Sequence, residues 1–164
     1  MTVRGVFHVH SAPPALCPHI EWATAGVLGV PVKLLWTDQP AAPGSQRAEL
    51  CWEGKPGIAA AITSSLRAWK LARFEVTEEA SPGADGMRYC FTPTLGVFSA
   101  TIGANGDIMV PEDRLRRVMA DAASNRTTLE YELDRLLGTP WDHELEPFRR
   151  AGDGAPVRWL HAAG

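Results

Sequence analysis

The sequence lacks a CxxC pair, a GxSxG nucleophile motif, a GxGxxG or other phosphate loop, and any apolar run that could span a bilayer. Its three cysteines, Cys17, Cys51 and Cys90, are odd in number and widely separated. That excludes a disulfide framework and a zinc ribbon and points to reduced thiols, hence to the cytosol. The longest apolar runs, AGVLGV at 25–30 and IAAAI at 58–62, fall far short of the roughly 20 residues a membrane helix needs. MTVRGVFHVH has no long apolar core before a cleavage site, so it is not read as a signal peptide. An excess of positive charge is also missing. With 16 Lys and Arg scattered along a chain of net charge -3, nothing attracts a phosphate backbone, and neither nucleic acid nor membrane is an expected partner.

What is present suits a globular domain. The 164 residues are 45% hydrophobic and 21% charged, which places the whole chain, 1–164, in one domain with a real core. Six tryptophans offer large apolar burial, each with an N–H to satisfy. Several belong in the core, and one or two suit an interface.

Along the chain, Val3, Phe7 and Val9 alternate with Val6, His8 and His10, predicting a strand over 3–10. A helix follows, with Pro18 at its first turn, Ile20, Ala23 and Val27 on a stripe, and Gly29 at its end. VKLLWT at 32–37 and RAELCWE at 47–53 read as two strands of a long-looped hairpin. Ile58, Ile62, Leu66 and Trp69 then mark a second helix, and LARFEVT at 71–77 a fourth strand. The order over 1–77 is βαββαβ, which with right-handed crossovers predicts an α+β, ferredoxin-like antiparallel sheet with both helices on one face. After the polar joint at 78–86, residues 87–164 are expected to add a β-hairpin, two helices and a wrapped tail. Asn105-Gly106 signals the hairpin. Leu115, Val118, Met119 and Ala122 form the first helix's apolar stripe; Leu129, Leu133 and Leu136 form the second's buried stripe, opened by a Thr127/Glu130 capping box. The tail from 139 has no evident period and is expected to pack irregularly through Trp141, Phe148 and Trp159.

Three groups of side chains carry chemistry. In HSAPPALCPHIEW at 10–22, His10, Ser11, Cys17 and His19 flank a helix start, an arrangement open to an anion, to a nucleophilic cysteine with a histidine base, or to structural use of every residue. In the structural reading the prolines stiffen the crossover and Glu21 serves the helix N-terminus. The C-x-H spacing is not a common zinc pattern, so no metal and no cofactor is expected. His8, His10, Glu49 and Cys51 share the open sheet face, which the C-terminal hairpin or a second subunit would cover; a homodimer is one such arrangement. Trp141, Asp142 and Arg158 stand in a charged tail that either staples itself to the sheet or lines a cleft.

VHSAPPALCPHIEWATAGVLG and GTPWDHELEPFRRAGDGAPVRWLH, with QPAAPG, LRAWKLARFEVT and NGDIMVPEDRLR between them, resemble an actinobacterial family of uncharacterised proteins, the domain of unknown function DUF3145. The resemblance spans essentially the whole chain. It implies no catalytic residues, and it hints by association at an accessory role beside type II fatty-acid synthesis. The expected function is therefore a non-catalytic cytosolic module that binds a protein partner or a small ligand. The alternative is a small enzyme using His10, Cys17 and His19 on an acyl or anionic substrate.

Overall fold

Strand β1 (Val3–Ala12) runs through the middle of the first half of the chain, antiparallel to β3 (Gln46–Gly54) on one side and to β4 (Arg73–Glu78) on the other. The computed structural model describes residues 1–151 and, as backbone, 157–161. With β2 (Thr37–Asp38) on the far side of β3, the first four strands take the order β2-β3-β1-β4. The sheet then continues outward from β4 through β5 (Gly86–Thr92), β6 (Gly96–Ile102) and β7 (Ile108–Met109), every one of these pairs antiparallel. The last strand, β8 (Val157–His161), lies parallel to β3 along the edge that β2 leaves free. The expected α+β class is observed, and the C-terminal strands extend the first sheet instead of forming a separate hairpin.

One face of the sheet carries α1 (Cys17–Leu28) and α2 (Ile58–Leu66). Alternation along the strands drives this packing: Phe7, Val9, Leu50, Phe74, Val76 and Phe91 meet Ile20 and Leu28 of α1 and Ile58, Ile62 and Leu66 of α2 in one apolar core. Pro18 occupies the first turn of α1 and Gly29 ends it. No side chain of its own caps α2. Glu78 of β4 does so, its carboxylate accepting from Gly57 N (2.9 Å) and Ala59 N (3.1 Å) at the positive end of the helix.

The segment 32–37 is not the expected strand; only Thr37–Asp38 pairs with β3. Its backbone is claimed instead by Glu21, which is buried on α1 and accepts from Leu34 N (2.8 Å), Trp36 Nε1 (3.0 Å) and Lys33 Nζ (3.2 Å). Glu21 thus ties an irregular segment to the helix rather than serving the helix N-terminus. Val32 and Leu34 are still buried, so the expected inward face survives without the ladder.

In the second half the Asn105-Gly106 hairpin is observed as expected, and three other expectations are corrected. The Asn105-Gly106 turn does join β6 to β7, but only Gly106 has a positive φ (86°), and Gly103 N bonds to Asp107 O (2.9 Å) around a three-residue loop. A two-residue loop of the favoured kind would need both central residues at positive φ. Next, α3 (Glu112–Ala123) and α4 (Leu129–Leu137) do not lie flat on the sheet: Val118 is their only buried residue, and Leu115, Met119 and Leu129 are exposed. The cap of α4 is Thr128, which accepts from Tyr131 N, one residue later than the expected box. Finally, the supposedly aperiodic tail forms a helix, α5 (Thr139–Ala151), with Pro147 inside it. Trp141, Leu145 and Phe148 are spaced i, i+4, i+7 and face the sheet, while Pro147 sits on the solvent side, where the carbonyl it leaves unpaired can meet water.

It is α5 that covers the second sheet face, burying Trp141 and Leu145 against Cys90, Phe98 and Ala100. Gly138 joins α4 to α5 at φ 76°, and a Cβ there would meet the Phe98 ring at 2.6 Å, so only glycine permits this turn over β6. Among the described residues no helix is long and apolar enough to cross a membrane.

Candidate functional site

The residues of the first candidate group go to different neighbours. Cys17 is buried and donates its thiol to Pro13 O (3.6 Å), with Pro14, Pro18 and Trp36 beside it around a shallow cleft of about 240 Å³. His19 is exposed on α1 and packs edge-on against Trp69, ring centroids 6.0 Å apart. His10 points to the opposite sheet face. Burial, reinforced by the nearby Glu21 carboxylate, pushes the Cys17 thiol up to about 11. At neutral pH its thiolate fraction is therefore far below that of a free cysteine near 8.5. Alkylation of Cys17 by iodoacetamide, followed by peptide mass spectrometry at pH 7.5, is expected to run at least about 100-fold slower than alkylation of a free thiol. A rate equal to that of glutathione would show the thiol to be active.

His10 is aimed by a β-bulge. Between Val9 and Ser11 the register of β1 slips against β4, and between Val9 and Ala12 it slips against β3, so His10 is an extra residue turned toward α5. Its Nε2 lies 2.5 Å from Glu75 Oε2. Glu75 is buried on β4 and is the hub of a network that sequence reasoning missed. Arg149 of α5 donates to both of its oxygens, through Nε to Oε2 (2.8 Å) and through Nη2 to Oε1. Arg88 Nη2 (3.1 Å) and the Cys90 thiol (3.3 Å) also donate to Oε1. The same two arginines share Asp142 Oδ1, from Arg88 at 2.6 Å and from Arg149 at 2.9 Å. Two carboxylates and two guanidiniums thus balance. Burial alone would raise the Glu75 pKa, but the hydrogen bonds from His10 and Arg149 outweigh it and hold the carboxyl well below the usual range. A carboxylate saturated by four donors cannot take a proton from a substrate, so the network clamps α5 to the sheet.

A second layer extends the clamp. Gln39 donates to His10 O (2.8 Å) and Phe148 O (3.3 Å), and Arg73 donates to Ser11 Oγ (3.3 Å) while stacking over Phe148 at 4.7 Å. His8 stacks flat on His10, centroids 5.6 Å apart, and pairs with Glu49 at 3.6 Å, with burial lowering its pKa. Of the shared-face group, His8, His10 and Glu49 are therefore together, whereas Cys51 stands opposite Val6, its thiol pushed up by burial and by the Glu49 carboxylate. Among the described residues no group of three or more His, Cys, Asp and Glu side chains is arranged to hold a metal ion. Arg158 lies in β8 opposite Leu50, and its side chain is outside the described residues. The signal that could have found the hub was Glu75 itself, a carboxylate between the apolar Phe74 and Val76 and on the same strand face as Arg73, with histidines alternating on β1.

A different kind of site lies between the α3–α4 hairpin and β6. There a cleft of about 330 Å³ has Phe98, Val118 and Trp141 in its lining and Arg114, Arg117 and Arg135 around it. Trp141 is buried and oriented by a hydrogen bond from its Nε1 to Gly96 O (3.0 Å), and the Arg135 guanidinium lies 5.2 Å over its ring. Among the described residues none of the three arginines has a carboxylate partner. The volume falls at the lower end of small-molecule sites, which combine apolar walls with a few polar groups. Of the candidate residues, Trp141 belongs to this cleft, Asp142 to the clamp.

The family model for a protein of unknown function, DUF3145, matches residues 6–162, nearly the whole chain. The chain belongs to the DUF3145 family. None of the curated proteins and none of the solved structures matches it. The DUF3145 match takes in both the clamp and the cleft, since it begins in β1 and runs past β8.

Proposed function

We propose that this DUF3145 protein is a non-catalytic binding or accessory module, acting in the cytosol, whose ligand or partner engages the cleft beneath the α3–α4 hairpin. The observation that carries the reading is the contrast between two polar clusters. In the clamp every arginine is paired with a carboxylate, whereas Arg135 lies over the buried Trp141 ring, Arg114 and Arg117 line the same cleft, and among the described residues none of these three has such a partner. Paired charges hold a fold together; unpaired ones beside apolar surface are what a binding site offers. The exposed Leu115, Met119 and Leu137 on the same hairpin give a partner further apolar contact.

The reading extends to the first four strands, taken as a ferredoxin-like unit on the support of their order and of two helices on one face. An actinobacterial source and a setting in fatty-acid metabolism enter through the family resemblance alone. Against the enzyme alternative weigh the separate surroundings of His10, Cys17 and His19 and the raised pKa of the Cys17 thiol.

The test is native mass spectrometry of the chain isolated at low salt from its own host, beside an R114Q/R117Q variant. A stoichiometric ligand or partner on the wild type, lost from the variant, is expected. The bare chain in both preparations would overturn the reading.

A further inference from the structure

We propose that the cleft between the α3–α4 hairpin and β6 is the site of a small organic dianion, a doubly charged oxyanion carried on a flat apolar group; this rests on the binding-module reading above and names its ligand. Charge around the cleft sets the ligand's charge. Arg114 and Arg117 stand three residues apart on α3, with Asp121 one turn further along, and Arg135 and Glu132 face them from α4. Asp121, which also lines the cleft, is paired with Arg126, 3.7 Å away. Counting Arg126 with the Asp121 it pairs, four guanidiniums stand against two carboxylates and leave an excess of two positive charges, which a dianion neutralises and a monoanion does not. Guanidinium forks suit phosphate and carboxylate oxygens, whose geometry they match in pairs.

The floor sets the ligand's body. Phe98 and Trp141 lie with centroids 5.1 Å apart and planes tilted by 34°, and with Val118 and Leu136 they supply the apolar lining of the cleft that the arginines share. Arg135 lies over the Trp141 and Tyr131 rings, which favours the position from which it meets a ligand. Free inorganic phosphate reaches the arginines but leaves this floor unused. A neutral aromatic does the reverse. Only a molecule with both parts fills both halves.

The experiment is a titration of the full ¹⁵N-labelled chain, followed by amide shifts along β6 and α3 and by the Trp141 Nε1–H signal. The probes are phenyl phosphate, benzoate, inorganic phosphate and phenol. Phenyl phosphate is expected to bind with a Kd of about 1 mM, as suits a probe of its size, and at least about tenfold more tightly than each of the others. R114Q/R117Q is expected to weaken phenyl phosphate at least about tenfold. E132Q, which removes a repulsive charge from the same wall, is expected to tighten it about twofold. Both arginines are exposed on α3, so the variants disturb no packed contact. Equal binding of phenol and phenyl phosphate, an unchanged Kd in R114Q/R117Q, or weaker binding in E132Q would each overturn the proposal. If phenyl phosphate fails while the host-derived protein still carries a species lost from R114Q/R117Q, the dianion class falls and the module reading stands. If the host-derived protein is bare as well, both fall.

Discussion

Replacing Glu75 by glutamine is expected to cost about 3 to 5 kcal/mol of stability, because it removes one side of a buried charge network and leaves the other in place. Arg88 and Arg149, only 22% and 25% exposed, would keep Asp142 as their one shared carboxylate. The glutamine amide also turns an N–H₂ toward guanidinium donors where an oxygen had accepted. For a chain of this size the loss corresponds to a fall in Tm of roughly 6 to 20 °C. The pH dependence has a definite sign. A carboxyl held below its ordinary pKa contributes stability that is fully present above the unfolded value, here 4.5, and is lost as pH falls from there toward the folded value. Wild-type Tm should therefore decline progressively below pH 4.5, and E75Q should decline less steeply over the same range. Scanning calorimetry of both chains between pH 3 and 7 checks this. A Tm for E75Q within about 2 °C of wild type at pH 7 would mean that the clamp holds nothing.

Glu75 also shows why the candidate site was only half legible in the sequence. Short-range periodicity located β1, α1, β3, α2 and β4, and the pairing of His8 with Glu49 followed from alternation on adjacent strands. The clamp, however, joins residues 65, 74 and 54 positions apart, His10 with Glu75, Glu75 with Arg149 and Arg88 with Asp142, and no local pattern encodes such contacts. The bulge at His10 breaks the alternation of β1 beyond that residue, so that Ser11 meets Arg73 beside Phe148, and no change of composition marks it. In α5 the apolar period was present in Trp141, Leu145 and Phe148, but Pro147 and the many charges masked it. The opposite error arose in α3 and α4. Their stripes were read correctly as amphipathic, yet α5 and its tryptophan occupy the sheet face that those stripes would have covered, so Leu115, Met119 and Leu129 are left outside. Segment 32–37 failed for a third reason: a single buried carboxylate, Glu21, took the Leu34 N–H that a ladder would have used and the Trp36 indole N–H beside it.

The second large effect is expected from Trp141→Ala, about 3 to 5 kcal/mol, since a large ring that is 3% exposed would leave a cavity between α5 and β6. The loss has separable parts. The ring packs on Phe98, its Nε1 bonds to Gly96 O, and its face carries the Arg135 guanidinium. Trp141→Phe keeps the aromatic contact and gives up the hydrogen bond, so it should cost about 1 to 2 kcal/mol. Urea denaturation of the two variants measures the difference, and equal costs would show that the indole N–H and not the packing carries the effect. Because Trp141 and Leu145 anchor one stretch of α5 while Arg149 anchors another, loosening either end frees part of the same helix. W141A and E75Q should therefore be non-additive, with a coupling above about 0.5 kcal/mol, the more so because Cys90 belongs to the Trp141 cluster and also donates to Glu75. Strict additivity would mean that α5 yields locally at each end. Coupling would instead make α5 a single strut through which the clamp at Glu75 keeps Trp141, and with it the cleft under the arginines, in place.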